Sequence, residues 1–137
     1  MTEQETQNKE TILRFNREVL ENGSVDAIHQ IIHPDFTNHT AKGSPRGPQG
    51  IIDFTINILH RALKDVKVEI HDQVFEDSKV VTRKTIYGTH IDTFMGIAAS
   101  GKKVGIGIID IITLSNGQYT EHWSIRDVSD LLNPSSN

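Results

Sequence analysis

The sequence predicts a single α+β domain in which N-terminal helices pack on a strongly curved antiparallel sheet and enclose a small-molecule pocket. Three observations predict it. Apolar residues recur at steps of three and four as far as Leu63, the period drops to two after Asp65, and a length of 137 residues is that of one domain. Helices first and antiparallel strands afterwards is the order of a fold in which helices close one side of a sheet. No repeat or linker divides residues 1–137, and only the ends, 1–5 and 133–137, read as loose.

Between Thr6 and Glu21, Ile12, Phe15, Val19 and Leu20 fall on one helical stripe, which Asn22-Gly23 ends. Ser24 is a natural N-cap for a second helix with Val25, Ile28, Ile31 and Ile32 on its buried face, stopped by Pro34. Pro34 to Gly50 holds three of the four prolines and three glycines and is predicted as loop. Ile51, Ile52, Phe54, Thr55, Ile58, Leu59 and Leu63 then fit a third helix from Pro48 to Leu63.

In the second half Val66, Val68 and Ile70 alternate with polar residues, and a β-branched run from Lys79 to Thr89 comes after the turn Glu76-Asp77-Ser78, so the two should pair as a hairpin. Val104 to Leu114 and Gln118 to Arg126 flank Asn116-Gly117, a favoured tight-turn pair, and predict a second hairpin. Gly105 and Gly107 share one face of the third strand and mark a place for the sheet to curl.

Composition narrows the function. The apolar share of 36% and charged share of 23% are globular. A net charge of -4 with a pI near 5.9 provides no basic stripe for nucleic acid. Absence of cysteine excludes disulfides, zinc ribbons and thiol nucleophiles. The N-terminal decapeptide lacks the pattern of a secretory signal and no apolar run reaches the length of a membrane span, so a cytoplasmic location is expected. Seven histidines are present, but neither HExxH nor another metal spacing appears, and there is no GxSxG elbow, phosphate loop or dinucleotide fingerprint; no metal or cofactor is expected.

Asp110 stands out because its strand face otherwise reads Ile106, Ile108, Ile112 and Leu114, and a carboxylate there needs compensation. One reading makes it a general acid/base with a raised pKa; the other ties it structurally to a neighbouring His or Arg. Arg83, mid-strand on the Tyr87 face, is the leading counter-ion. Counting outward from Asn116-Gly117 pairs Ser115 with Gln118 and sets Asp110 opposite Trp123 and diagonal to His122, a register that a bulge would change. Thr120, Ser124 and Arg126 share the His122 face. His122 is then either a catalytic partner or a satisfied structural residue, and Trp123 is core or pocket wall. Asn38 and His39 could reach the cavity mouth as donors to a ligand carbonyl or sit in solvent. Tyr87 and His90 close the second strand as further pocket candidates, and Asp127 reads as a cap for the C-terminal segment after the last strand.

Taken together, His33-Pro34-Asp35-Phe36-Thr37-Asn38-His39-Thr40, Arg46-Gly47-Pro48-Gln49-Gly50, Tyr87-Gly88-Thr89-His90, Phe94-Met95-Gly96 with Ser100-Gly101-Lys102, and Glu121-His122-Trp123 resemble the SnoaL-like polyketide cyclases, often labelled ester cyclases, of the nuclear transport factor 2-like superfamily. The resemblance spans nearly the whole chain. It implies a cystatin-like cone, homodimers whose sheets face one another, and a cofactor-free intramolecular aldol closure with an acidic residue as acid/base. In the family pattern an aspartate commonly comes directly after the His-Trp pair, whereas this chain has Ser124, which is no acid/base near neutral pH without an activating partner. Asp110 or Asp127 would have to substitute, and Asp110 is better placed by its apolar surroundings.

Two classes of function stay open. In the first, Asp110 takes a proton next to a carbonyl while His122 and His39 hydrogen-bond the enolate. In the second, the same cavity, with Arg83, Tyr87, His90, Trp123 and Ser124 among its expected walls, holds an apolar metabolite without turnover. Neither names the substrate.

Overall fold

The computed structural model describes residues 1–134. Helix α1, Glu3–Arg14, begins at a capping box: the Thr2 hydroxyl accepts the Glu5 N–H at 3.0 Å and the Glu5 carboxylate accepts the Thr2 N–H at 3.0 Å. Residues 3–5, expected to be loose, are therefore helical; of the other end, 135–137 lie outside the described residues. The chain continues from α1 into seven residues of wider π-helical turns, Phe15–Glu21, which bury Phe15, Asn16, Val19 and Leu20. Ser24 caps α2, Val25–Ile31, by accepting the Ala27 N–H at 3.1 Å. A third helical stretch runs through α3, Gln49–Ile52, wide turns over Asp53–Leu59, and α4, His60–Ala62.

Five strands stand in the order β1-β5-β4-β3-β2. They are β1 Ile32–Asn38, β2 Leu63–Glu76, β3 Lys79–His90, β4 Lys103–Ser115 and β5 Gln118–Asp127. Both predicted hairpins form, and Asn116 and Gly117 make the second turn at φ +51° and +74°. The sheet is mixed because the first residues of the predicted loop extend into β1, which runs parallel to β5 with Asn38 beside His122. The sequence hid this strand behind Pro34, which an edge strand tolerates because its missing N–H has no ladder partner to satisfy. Ile32, assigned to the second helix, is the first residue of β1, and Val25 lies on the exposed side of α2.

The helices cover one face of the sheet. Ile12, Phe15, Ile28, Ile31 and Leu59 meet Val80, Ile86, Ile106, Ile112 and Leu114 in a single core, with the Phe15 and Tyr119 rings 4.7 Å apart. On the other face Ile109, Ile111 and Ile125 are exposed, by 51%, 36% and 79%. Helix α5, Ser129–Leu132, comes after β5; its N-cap residue is Val128, and Asp127, expected to cap this segment, accepts the Ser129 N–H at 2.9 Å from one residue before the cap position. No described helix is long and apolar enough to cross a membrane.

The connection after β1 returns to that strand through the Gly47 N–H, which donates to the Phe36 carbonyl at 2.8 Å. Gly47 has φ +82°, and a Cβ there would stand 2.6 Å from the Pro34 carbonyl oxygen. Gly43 shares the positive φ, +80°, but its Cβ would meet nothing within 4 Å. In urea unfolding, Gly43→Ala should cost about 1–2 kcal/mol for the left-handed conformation alone, and Gly47→Ala should cost measurably more because backbone must also move.

Candidate functional site

A cavity of about 340 Å³ opens between the inner sheet face and the helices, a size that suits a small organic ligand. Most of its wall is apolar: Phe15 and Leu20 from the first wide-turned stretch, Phe54, Ile58 and Leu59 from the second, and Ile86, Ile106, Ile108 and Ile112 from the sheet. The connection after β1 adds Ala41, Ser44 and Pro45. The wide turns set consecutive residues further round the helix than α-turns do, and insertions of this kind recur at functional sites.

Which polar groups reach the cavity is decided by one bulge. Ser115 pairs with Gln118 as the turn count requires, but the register shifts between Thr113 and Leu114, which face Glu121 and Tyr119, so Thr120 is the extra residue. Asp110 is consequently opposite Ser124, and Ile112 opposite His122. A one-residue slip exchanges the faces of a strand. Asp110, His122, Ser124 and Arg126 therefore line the cavity together, while Trp123 turns outward. Thr120, expected beside His122, instead donates its hydroxyl to the Thr113 carbonyl at 3.0 Å.

Asp110 is compensated by Lys84, neither a histidine nor an arginine. Lys84 Nζ lies 3.1 Å from Asp110 Oδ2, with the side chains only 5% and 6% exposed. Nζ also donates to Asn16 Oδ1 at 2.8 Å, and Asn16 Nδ2 donates to the Ile12 carbonyl at 2.8 Å. The chain helix–Asn16–Lys84–Asp110 thus satisfies a buried charge pair with fixed partners.

His122 is held between this pair and the Phe36 ring, whose centroid is 6.5 Å from its own. Its Nδ1 is buried without a hydrogen-bond partner among the described residues. Its pKa is pushed down to about 4, chiefly by burial, with Lys84 and Arg126 adding to the shift and Asp110 opposing it. The ring is uncharged at neutral pH and carries one N–H and one free lone pair. Burial, reinforced by Asp110, holds the Tyr119 hydroxyl well above the ordinary phenol range, so it too remains a neutral donor on the cavity wall.

Other candidates from the sequence lie elsewhere. Arg83 is on the outer sheet face, with Nη2 2.8 Å from Asp72, because the inward parity of β3 belongs to Val80, Thr82, Lys84 and Ile86. Tyr87 shares the outer parity and donates to Glu69 at 3.0 Å. His39 stacks on Trp123 outside, with centroids 4.5 Å apart and planes at 11°, and its Nε2 is 3.0 Å from Glu121. His90 is fully buried at the end of β3, but it is not part of the cavity wall, and neither ring nitrogen has a hydrogen-bond partner among the described residues. Asn38 does reach the wall, while its Oδ1 accepts the Thr40 and Ala41 N–H groups at 3.0 and 3.2 Å. Lys84, Tyr119 and Asn16 do not stand out in the sequence. Parity with Val80 and Ile86 carried the signal for Lys84; nothing local announced the bulge that brings in Tyr119.

The family model for SnoaL-like polyketide cyclases matches residues 10–133. The chain belongs to the SnoaL-like polyketide cyclase family. Its solved neighbours share the nuclear transport factor 2-like fold. TsrD from Streptomyces laurentii has a TM-score of 0.83 at 24% identity, over 92% of each chain. A protein of Jannaschia sp. CCS1, named as a candidate SnoaL-like polyketide cyclase, has a TM-score of 0.82 at 24% identity, covering 96% of this chain and 93% of its own. A candidate polyketide cyclase of Bacillus cereus ATCC 10987 has a TM-score of 0.77 at 28% identity, over 92% of this chain and 78% of its own. Among curated proteins no sequence matches. Within the SnoaL-like frame, the inward acid of this chain is on β4, and β5 presents Ser124 directly across from it.

Two measurements test the electrostatics. Lys84→Met leaves Asp110 buried and unpaired and should lower the unfolding free energy by roughly 3–5 kcal/mol, whereas Lys84→Met/Asp110→Leu should recover most of that loss in urea unfolding. At His122 the unfolded ring titrates near 6.5 and the folded ring at about 4. Between those values only the unfolded chain takes up the proton, so this contribution is present in full above pH 6.5 and is lost as pH falls towards 4. Wild type should therefore lose stability relative to His122→Gln by on the order of 2 kcal/mol between pH 7 and pH 4.5.

Proposed function

We propose that the chain catalyses cofactor-free proton abstraction next to the carbonyl of a small apolar compound, as in an intramolecular aldol closure. The observation that carries this reading is the placement of the Asp110 carboxylate and the uncharged His122 on one inward face of an apolar cavity. Asp110 is the base. Lys84 occupies one of its oxygens, and Oδ1 has no hydrogen-bond partner among the described residues. Loss of the α-proton places negative charge on the carbonyl oxygen, where the His122 N–H and the Tyr119 O–H are the available donors. Neutral donors suit this task because they strengthen their hydrogen bond as the charge develops without first attracting the base. Membership of the SnoaL-like cyclases supports the same chemistry, with a polyketide-like ligand as substrate. His39 has no part in it.

The exposed outer face suits a second copy of the chain: Ile109, Ile111 and Ile125 form an apolar strip beside Trp123, and in a face-to-face homodimer they would be covered. Two observations favour a second reading, that of a binding module. Asp110 is already engaged by Lys84, and Ser124 stands where the family pattern commonly has an acid.

Deuterium exchange at the methyl group of 2-acetonaphthone, followed by proton NMR, separates the two. Wild type should accelerate exchange over buffer, and Asp110→Asn should lose roughly 10²–10⁴-fold of that acceleration while binding the ketone within about threefold of wild type. A wild-type protein that binds the ketone and leaves exchange at the buffer rate would sink the catalytic reading and leave the binder.

A further inference from the structure

Four charged side chains line the cavity: Asp53, Lys84, Asp110 and Arg126. Lys84 and Asp110 answer each other. Asp53 Oδ1 accepts the Gln49 side-chain amide at 2.8 Å, one turn away along its own helical stretch. Arg126 is different. It is half-buried on β5, two residues beyond Ser124 on the inward face, and makes no ion pair with any described residue.

The groups that hold Arg126 are soft and uncharged. Its guanidinium carbon lies 5.6 Å from the centre of the Phe54 ring, and Nη1 donates to the Met95 sulfur at 3.0 Å, a weak acceptor. The remaining N–H donors have no acceptor among the described residues. A guanidinium has five donors and no acceptor of its own, so a partly dehydrated one with a fixed plane and free edges is built for a planar anion. Burial already lowers its pKa, which a bound anion would oppose. The exposed Met95 marks this as the rim of the cavity, with Asp110 and His122 further in.

We infer that Arg126 is an anion subsite at the cavity rim and that the ligand is an apolar carbonyl compound bearing a carboxylate at the end remote from His122. This rests on the proposed carbonyl-binding pocket and specifies its ligand class. The spacing comes from the strand: His122 and Arg126 are four residues apart on one face, about 13 Å at the usual rise of an extended chain. The carboxylate and the carbonyl should thus be separated by a chain or ring system of several bonds.

The probes are 6-(2-naphthyl)-6-oxohexanoate and its methyl ester, which differ in charge at the far end alone, titrated calorimetrically. Wild type should bind the acid at least about tenfold tighter than the ester. Arg126→Met should weaken the acid by about tenfold and leave the ester within twofold, and Arg126→Lys, which keeps the charge and loses the planar fork, should retain part of the preference. Thermal melts establish that the variants are folded. Equal binding of acid and ester by wild type, or a loss on Arg126→Met that falls on both alike, would overturn the subsite while leaving the pocket reading standing. Failure of wild type to bind either compound would overturn the pocket reading and the subsite with it.

Discussion

The contact between Lys84 and Asp110 is the constraint on which the rest of the molecule turns. Two charges that burial would otherwise expel are 3.1 Å apart on neighbouring strands, and the ammonium reaches on to Asn16 beneath the helices. In a medium of low polarity each charge is tolerable only because the other is there. The pair therefore fixes the distance between helix and sheet at one point and keeps the surrounding cavity from collapsing into a uniformly apolar core. It also ties chemistry to architecture: the carboxylate with the strongest claim to reactivity is one end of the network that aligns the layers.

Around that network the two faces of the sheet have diverged in character. The inner face mixes isoleucines with the Lys84–Asp110 pair, the uncharged His122 and Tyr119 and, towards the rim, Arg126, so that the cavity wall is mostly hydrocarbon with polarity at these few points. The outer face keeps its charges in pairs such as Arg83 with Asp72, next to bare isoleucines and the Trp123 ring between His39 and Lys79. A cavity wall and an exposed apolar surface can share one sheet because successive side chains point opposite ways, and the Thr120 bulge sets which residue of β5 faces which side.

Much of this was legible in the sequence. The stripe Ile12, Phe15, Val19 and Leu20 is buried as its spacing requires, and the change of period after Asp65 marks where the sheet starts. Asp110 was conspicuous because an acid interrupted a run of isoleucines. Three things were not legible. Arg83 and Lys84 are adjacent cations, and only the parity of the whole strand tells which one is inside. A bulge leaves no residue signature when the extra residue is an ordinary threonine, so nothing in the sequence announces the pairing of Asp110 with Ser124. β1 is short, carries a proline, and draws its stability from a partner at the other end of the chain, beyond the reach of local pattern.

That last feature bears on how the molecule comes together. Ile32 and Tyr119 are neighbours in the finished sheet, yet β2, β3 and β4 are all made between them. The two hairpins are local and can form as soon as they are synthesised, whereas β1 must wait for β5 with its ladder groups unanswered. Long-range closure of this kind costs chain entropy before it returns any contact, and it slows the last stage of folding. During that interval the free edge of β5, with its neighbouring isoleucines, is a template for the wrong strand, and a chaperone would have most to protect there.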